Sequence, residues 1–135
     1  MRILFVGDVV GRPGRDAVSA LLPKLRDELK IDLAIVNGEN AAGGAGLTAE
    51  TARELQAAGA DVVTTGNHIW DQRQFMSEIE TLDFVLRPVN LAENNPGLPT
   101  SSTDDDFYRR PSTGHCALEA PTNGITSVAT RRLRP

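Results

Sequence analysis

The feature that most restricts the fold of this chain is a repeated change of hydrophobic period. Ile3-Leu4-Phe5-Val6, Leu33-Ala34-Ile35-Val36, Val62-Val63 and Phe84-Val85-Leu86 are unbroken apolar runs, and the segments between them place apolar residues at helical spacing. An unbroken apolar run reads as a strand covered on both faces. Strands that alternate with helices imply right-handed crossovers and a mainly parallel sheet. The expected fold class is therefore α/β, a mainly parallel sheet with helices on its faces.

Local signals refine the elements. After "GDVVGRPGRD", with Pro13 suited to a helix's first turn, Val18, Leu21, Leu22, Leu25 and Leu29 repeat at helical spacing. Pro23 interrupts that stripe and should kink or divide the helix. Thr48 is suited to cap a second helix that carries Ala52 and Leu55, and Gly59 to end it in a left-handed conformation. Asp71 with Gln74 resembles a capping box for a short helix carrying Phe75 and Ile79. In parallel sheets ligands bind beyond the carboxyl ends of the strands, which directs attention to the residues just past each apolar run.

Bulk properties narrow the function classes. The 135 residues suit one domain of ordinary size, and a net charge of −4 argues against a surface that coats nucleic acid. An acidic protein can still bind anionic substrates if metal cations supply the positive field. The single cysteine, Cys116, permits no intrachain disulfide, and no stretch approaches the roughly 20 apolar residues of a membrane span. The apolar start before Asp8 is too short for a signal-peptide core, so a cytoplasmic location is expected.

Residues with metal-binding capacity come after three successive strands. Asp8 and Glu39 offer carboxylates, Asn40 and Asn67 amide oxygens, and His68, in "GNHIW", an imidazole. Taken singly each has a plainer reading: Asp8 as a turn residue, Glu39-Asn40 as solvated loop chemistry, His68 as a hydrogen-bonded histidine, Trp70 as packing. Three strand ends in order, each with a ligand-capable group, favour a metal site. Mixed oxygen and nitrogen donors suit manganese or iron, with zinc as the alternative, and two such ions can clamp a phosphoryl group and activate a water.

The blocks "GDVVGRPGR", "VNGENAAGGAGLT", "TTGNHIWD" and "LRPVN" occur in that order, and through them residues 1 to about 95 resemble a bacterial calcineurin-like metallophosphoesterase family, the YmdB-like phosphodiesterases. The resemblance implies half of that family's two-sheet sandwich and the hydrolysis of phosphodiesters such as cyclic nucleotides. It implies two metal ions, with Asp8 on one, Glu39 bridging both, Asn40 a further ligand of the first and Asn67 a ligand of the second. His68 is then the proton donor to the leaving oxygen, a role an imidazolium can fill near neutral pH. Arg12 is a candidate phosphate contact, with a solvated loop arginine as the equal alternative. The implied partner is a small phosphodiester or cyclic nucleotide, with no membrane and no stable nucleic-acid complex, and self-association is left open.

The family's further histidine ligands, from a Gly-Thr-His-Thr-His-like stretch, have no counterpart. The only other histidine is His115, in "STGHCAL". Further sheet strands are not expected after Asn90. Residues 1–97 are expected to form the family portion and 98–135 an irregular tail, the chain being a truncated or frame-shifted version of a longer enzyme, weakly active or inactive by itself. Two other readings compete. "GAGLTA" at 44–49 matches a glycine-rich dinucleotide pattern, though displaced from its strand and without the acidic residue expected about 20 positions on. A partner-dependent α/β fragment, with sheet edges left to cover, is the other.

Overall fold

The computed structural model describes residues 1–99 and the backbone of 115–118 and 128–131. Ile3–Val6 (β1), Leu33–Asn37 (β2), Val62–Thr64 (β3) and Val85–Arg87 (β4) pair in parallel in chain order, and Leu98–Pro99 (β5) extends the sheet beyond β4. The expected α/β class with a parallel sheet is therefore observed. Between the strands run α1 (Gly11–Leu29), α2 (Ala49–Ala57), and the short α3 (Phe75–Glu78) followed by a 3-10 turn at Ile79–Thr81.

Because strand order never reverses, right-handed crossovers all land on one side of the sheet. The register places Leu4, Val6, Ala34, Val36, Val63 and Val85 on that side. There they share one core with Val18 and Leu22 of α1, Ala52 and Leu55 of α2, and Phe75 and Ile79. Each large side chain so buried contributes about 1.5–3 kcal/mol relative to exposure. The opposite face carries a separate apolar cluster, Leu33, Ile35, Val62 and Leu86 with Leu98 against it. No helix residue joins that cluster among the described residues, so the flanking helices described pack on the first face. Ile3 and Phe5 continue that face on the outer strand β1, where they are 42% and 53% exposed.

Other expectations meet mixed outcomes. Thr48 caps α2, its hydroxyl accepting from the Thr51 amide, and Gly59 follows the helix with φ at +110°. Pro23 lies inside α1 without dividing it, and α1 ends on Lys30 in the left-handed region, where no glycine marks the stop. Asp71 and Gln74 form no capping box: Gln74 is the N-cap of α3 and makes no side-chain cap hydrogen bond. β5 corrects the expectation of no sheet strand after Asn90. His115–Leu118 (β6) and Val128–Arg131 (β7) form an antiparallel ribbon within the segment read as irregular. The rest of 100–135 lies outside the described residues.

Candidate active site at the strand ends

The loops that leave β1, β2 and β3 are tied together by main-chain hydrogen bonds. The Val9 amide donates to Asn37 O at 2.9 Å, that of Gly11 to Asn40 O at 2.9 Å, and that of Gly38 to Thr64 O at 2.9 Å. Side chains clamp the second loop from both flanks. Arg15 of α1 donates from Nη1 to Ala41 O at 2.6 Å and from Nε to Glu54 of α2 at 2.6 Å. Gln72 donates to Ala45 O at 2.9 Å from the other side.

On this frame Asn40 Nδ2 donates to Asp8 Oδ1 at 2.7 Å, bridging the first two strand ends. Asp8 holds φ at +26°, where non-glycine residues are rare and strained, and such strain persists where surrounding structure imposes it. Glu39 reaches the third strand end. A Cβ on Gly66 would stand 2.0 Å from Glu39 Oε2, so the carboxylate lies directly on the glycine backbone. Glu39 Oε2 is buried and has no hydrogen-bond partner among the described residues.

His68 Nδ1 faces Asp71 Oδ2 at 2.7 Å. The imidazole is held above its ordinary value of 6.5, first by that hydrogen bond, against a partial desolvation that pulls it down. The negative charges of Asp71, Glu39 and Asp8 raise it further, so the three strand ends share one electrostatic environment. A larger protonated fraction near neutral pH suits a proton donor.

The structure thus brings Asp8, Asn40, Glu39, Gly66 and His68 together. Asn67 sits beside them in sequence and is exposed. Asn40 turns its amide nitrogen toward Asp8, so ligation through its oxygen requires the amide to rotate. Arg12 is solvent-exposed and only loosely paired with Asp16 at 3.8 Å. Trp70 is half-buried against the helix-side core. Among the described residues no group of three His, Cys, Asp or Glu is arranged to hold a metal ion. A cavity of about 250 Å³, lined by Ile79, Glu80, Leu82, Asp83, Gly97 and Leu98, touches none of these site residues.

The sequence reading missed Arg15 and Gln72, whose contacts cross 26 to 39 positions and leave no local signal. It also missed Asp71 as the imidazole's partner, although "HIWD" places the two residues three apart. No helix among the described residues is long and apolar enough to cross a membrane.

A parallel α/β sheet thus gathers carboxylates, amides and a histidine at its strand ends, and comparison with known proteins places the chain in a family. A model of the family described as YmdB-like protein matches residues 4–106, and the chain belongs to that family. It is 48% identical over 97 residues to the 2′,3′-cyclic-nucleotide 2′-phosphodiesterase of Bacillus subtilis, covering 72% of this chain and 37% of that protein. A putative phosphatase/phosphodiesterase of Mycoplasma genitalium is 37% identical over 94 residues, 70% of this chain and 34% of that one. The chain therefore spans little more than a third of the length of these relatives. A hypothetical protein from Thermus thermophilus has a crystal structure that aligns with a TM-score of 0.68 at 39% identity, covering 96% of this chain and 43% of that one. A Mycoplasma pneumoniae structure described as a novel phosphatase aligns at 0.67 and 29% identity, over 88% and 38%.

Proposed function

We propose that this chain carries part of the site of a metal-dependent phosphodiesterase acting on phosphodiesters such as cyclic nucleotides, with His68 as proton donor. The observation that carries the reading is the buried, unpartnered Glu39 Oε2, lying on Gly66 in the cluster that also holds Asp8, Asn40 and His68. An orphaned buried carboxylate oxygen is costly unless a cation or donor meets it. The names of the relatives support the reaction class.

Asp8, Glu39, Asn40 and Asn67 fit as oxygen donors to two ions, and such a set favours manganese or iron over zinc. When bound, the ions supply Lewis acidity and a water of lowered pKa. Every other step falls to the chain. Gly66 leaves room for the Glu39 carboxylate, and Asp8 holds its conformation at the end of β1. His68, as imidazolium, gives the Nε2 proton to the leaving oxygen as the P–O bond breaks. Four side chains supply fewer donors than two ions coordinate, so weak metal binding is expected of this chain by itself.

The dinucleotide reading loses its anion site. A pyrophosphate would need the amino end of α2, but Glu78 Oε2 already accepts from the Ala49 amide at 2.9 Å. A phosphate brought there would be repelled by that carboxylate as well as displaced by it.

Hydrolysis of 2′,3′-cyclic AMP by the manganese-loaded chain tests the proposal. Slow turnover is expected, abolished by chelation and lowered about tenfold or more in D8N. Turnover that survives chelation, or a D8N chain as active as its parent, contradicts it. Absence of turnover together with absence of manganese binding contradicts it equally.

A further inference from the structure

We infer that Asp71 is a positioning residue: it holds the His68 ring with Nδ1–H toward its own carboxylate, leaving Nε2 as the face that exchanges a proton with substrate. The inference rests on the reading of His68 as proton donor and adds how the ring is set for that task.

Several observations converge on Asp71. Its Oδ2 lies 2.7 Å from His68 Nδ1, and its amide donates to His68 O at 3.1 Å, closing a turn that fixes the two residues relative to each other. The carboxylate has no competing duty at the following helix, since α3 starts later and its N-cap is Gln74. The adjacent Gln72 is anchored to the β2 loop through Ala45 O at 2.9 Å, and its side chain packs against Gly46. Asp71 therefore stands on a turn that is itself tied to the loop carrying Glu39 and Asn40.

Stability gives little reason for the pair. The two side chains are 42% and 44% exposed, and solvent-exposed ion pairs add little to stability. Orientation is the larger consequence. A neutral imidazole carries its proton on either nitrogen, and the hydrogen bond made by one nitrogen decides the state of the other. With Asp71 accepting at Nδ1, the imidazolium has a single proton free to leave, on Nε2. When it departs to the leaving oxygen, the electron pair of the broken P–O bond remains on that oxygen. The ring is left as the Nδ1–H tautomer, still bonded to Asp71. Without Asp71 the ring can turn about its side-chain bonds or hold its neutral proton on Nε2.

Long-range 15N–1H NMR of the uniformly labelled metal-free chain at alkaline pH reads the tautomer directly, with H68Q assigning the signals against His115. The expected result is a protonated Nδ1 and an unprotonated Nε2 in the parent chain, retained in D71N, whose amide oxygen can still accept. D71A should lose it, moving toward the Nε2–H form of a free imidazole. A parent chain that already shows the free-imidazole pattern overturns the inference, as does a folded D71A chain with an unchanged tautomer. Should D71A fail to fold, the parent and D71N spectra decide by themselves. No hydrolysis enters this readout. A wrong tautomer leaves the phosphodiesterase reading standing, and absent turnover leaves the tautomer standing.

Discussion

At position 66 an added Cβ would meet Glu39 at Oε2, Cδ and Oε1, at 2.0, 2.6 and 2.8 Å, so the glycine is required by a side chain 27 positions away. Gly-Asn pairs commonly make turns, and nothing local to Gly66 reveals the carboxylate above it. The pairing of His68 with Asp71 was hidden for a different reason: the two are only three positions apart, but the capping pattern S/T/D-x-x-E/Q fits the same aspartate. The ligand-capable residues themselves were legible, because each comes just after an apolar run. G66A must displace Glu39 or the β3 loop, and overpacking of this kind costs about 1–3 kcal/mol. Urea unfolding should show that loss, whereas G7A, which faces open space at an ordinary φ, should unfold close to the parent. Equal midpoints for G66A and the parent would remove the stated reason for the glycine.

At the scale of elements, period and caps carried most of what could be read. The Thr48 cap and the positive φ after α2 arise from residues a few positions apart, which is the range over which such signals act. β5 escaped because a two-residue strand has no period, and its place depends on a buried arginine. Arg87, 3% exposed at the end of β4, donates to Pro88 O at 3.2 Å, Gly97 O at 3.3 Å and Glu93 O at 3.4 Å. These bonds draw residues 88–97 back onto β4 and deliver Leu98 to its edge. Among the described residues no carboxylate pairs with it, and its acceptors there are these main-chain carbonyls. R87M keeps much of the stem but leaves those carbonyls without their donor. A loss of about 2–4 kcal/mol is expected in denaturant unfolding. A change below about 0.5 kcal/mol, the size of an ordinary surface substitution, would show that the guanidinium does not organise the connection.

For the molecule as a whole, parallel pairing was legible in the alternation of strand and helix, but the distribution of helices over the faces was not. That distribution depends on strand order, which is set by contacts between distant segments. With the order unreversed, α1, α2 and α3 share one side, and the other side presents Leu33, Ile35, Val62 and Leu86 with Ile3 and Phe5 at the outer strand. The functional consequence is a single row of strand ends, in chain order, whose loops lie next to one another. This is why groups at positions 8, 39, 40, 66 and 68 meet although nearly half the chain separates the first from the last. Calorimetric titration of manganese into the parent chain, D8N and E39Q tests that convergence most directly. Weak but saturable binding is predicted for the parent, and its loss in either variant. Equal binding by all three chains, or two tight sites that neither substitution disturbs, would contradict a cation site built at these strand ends.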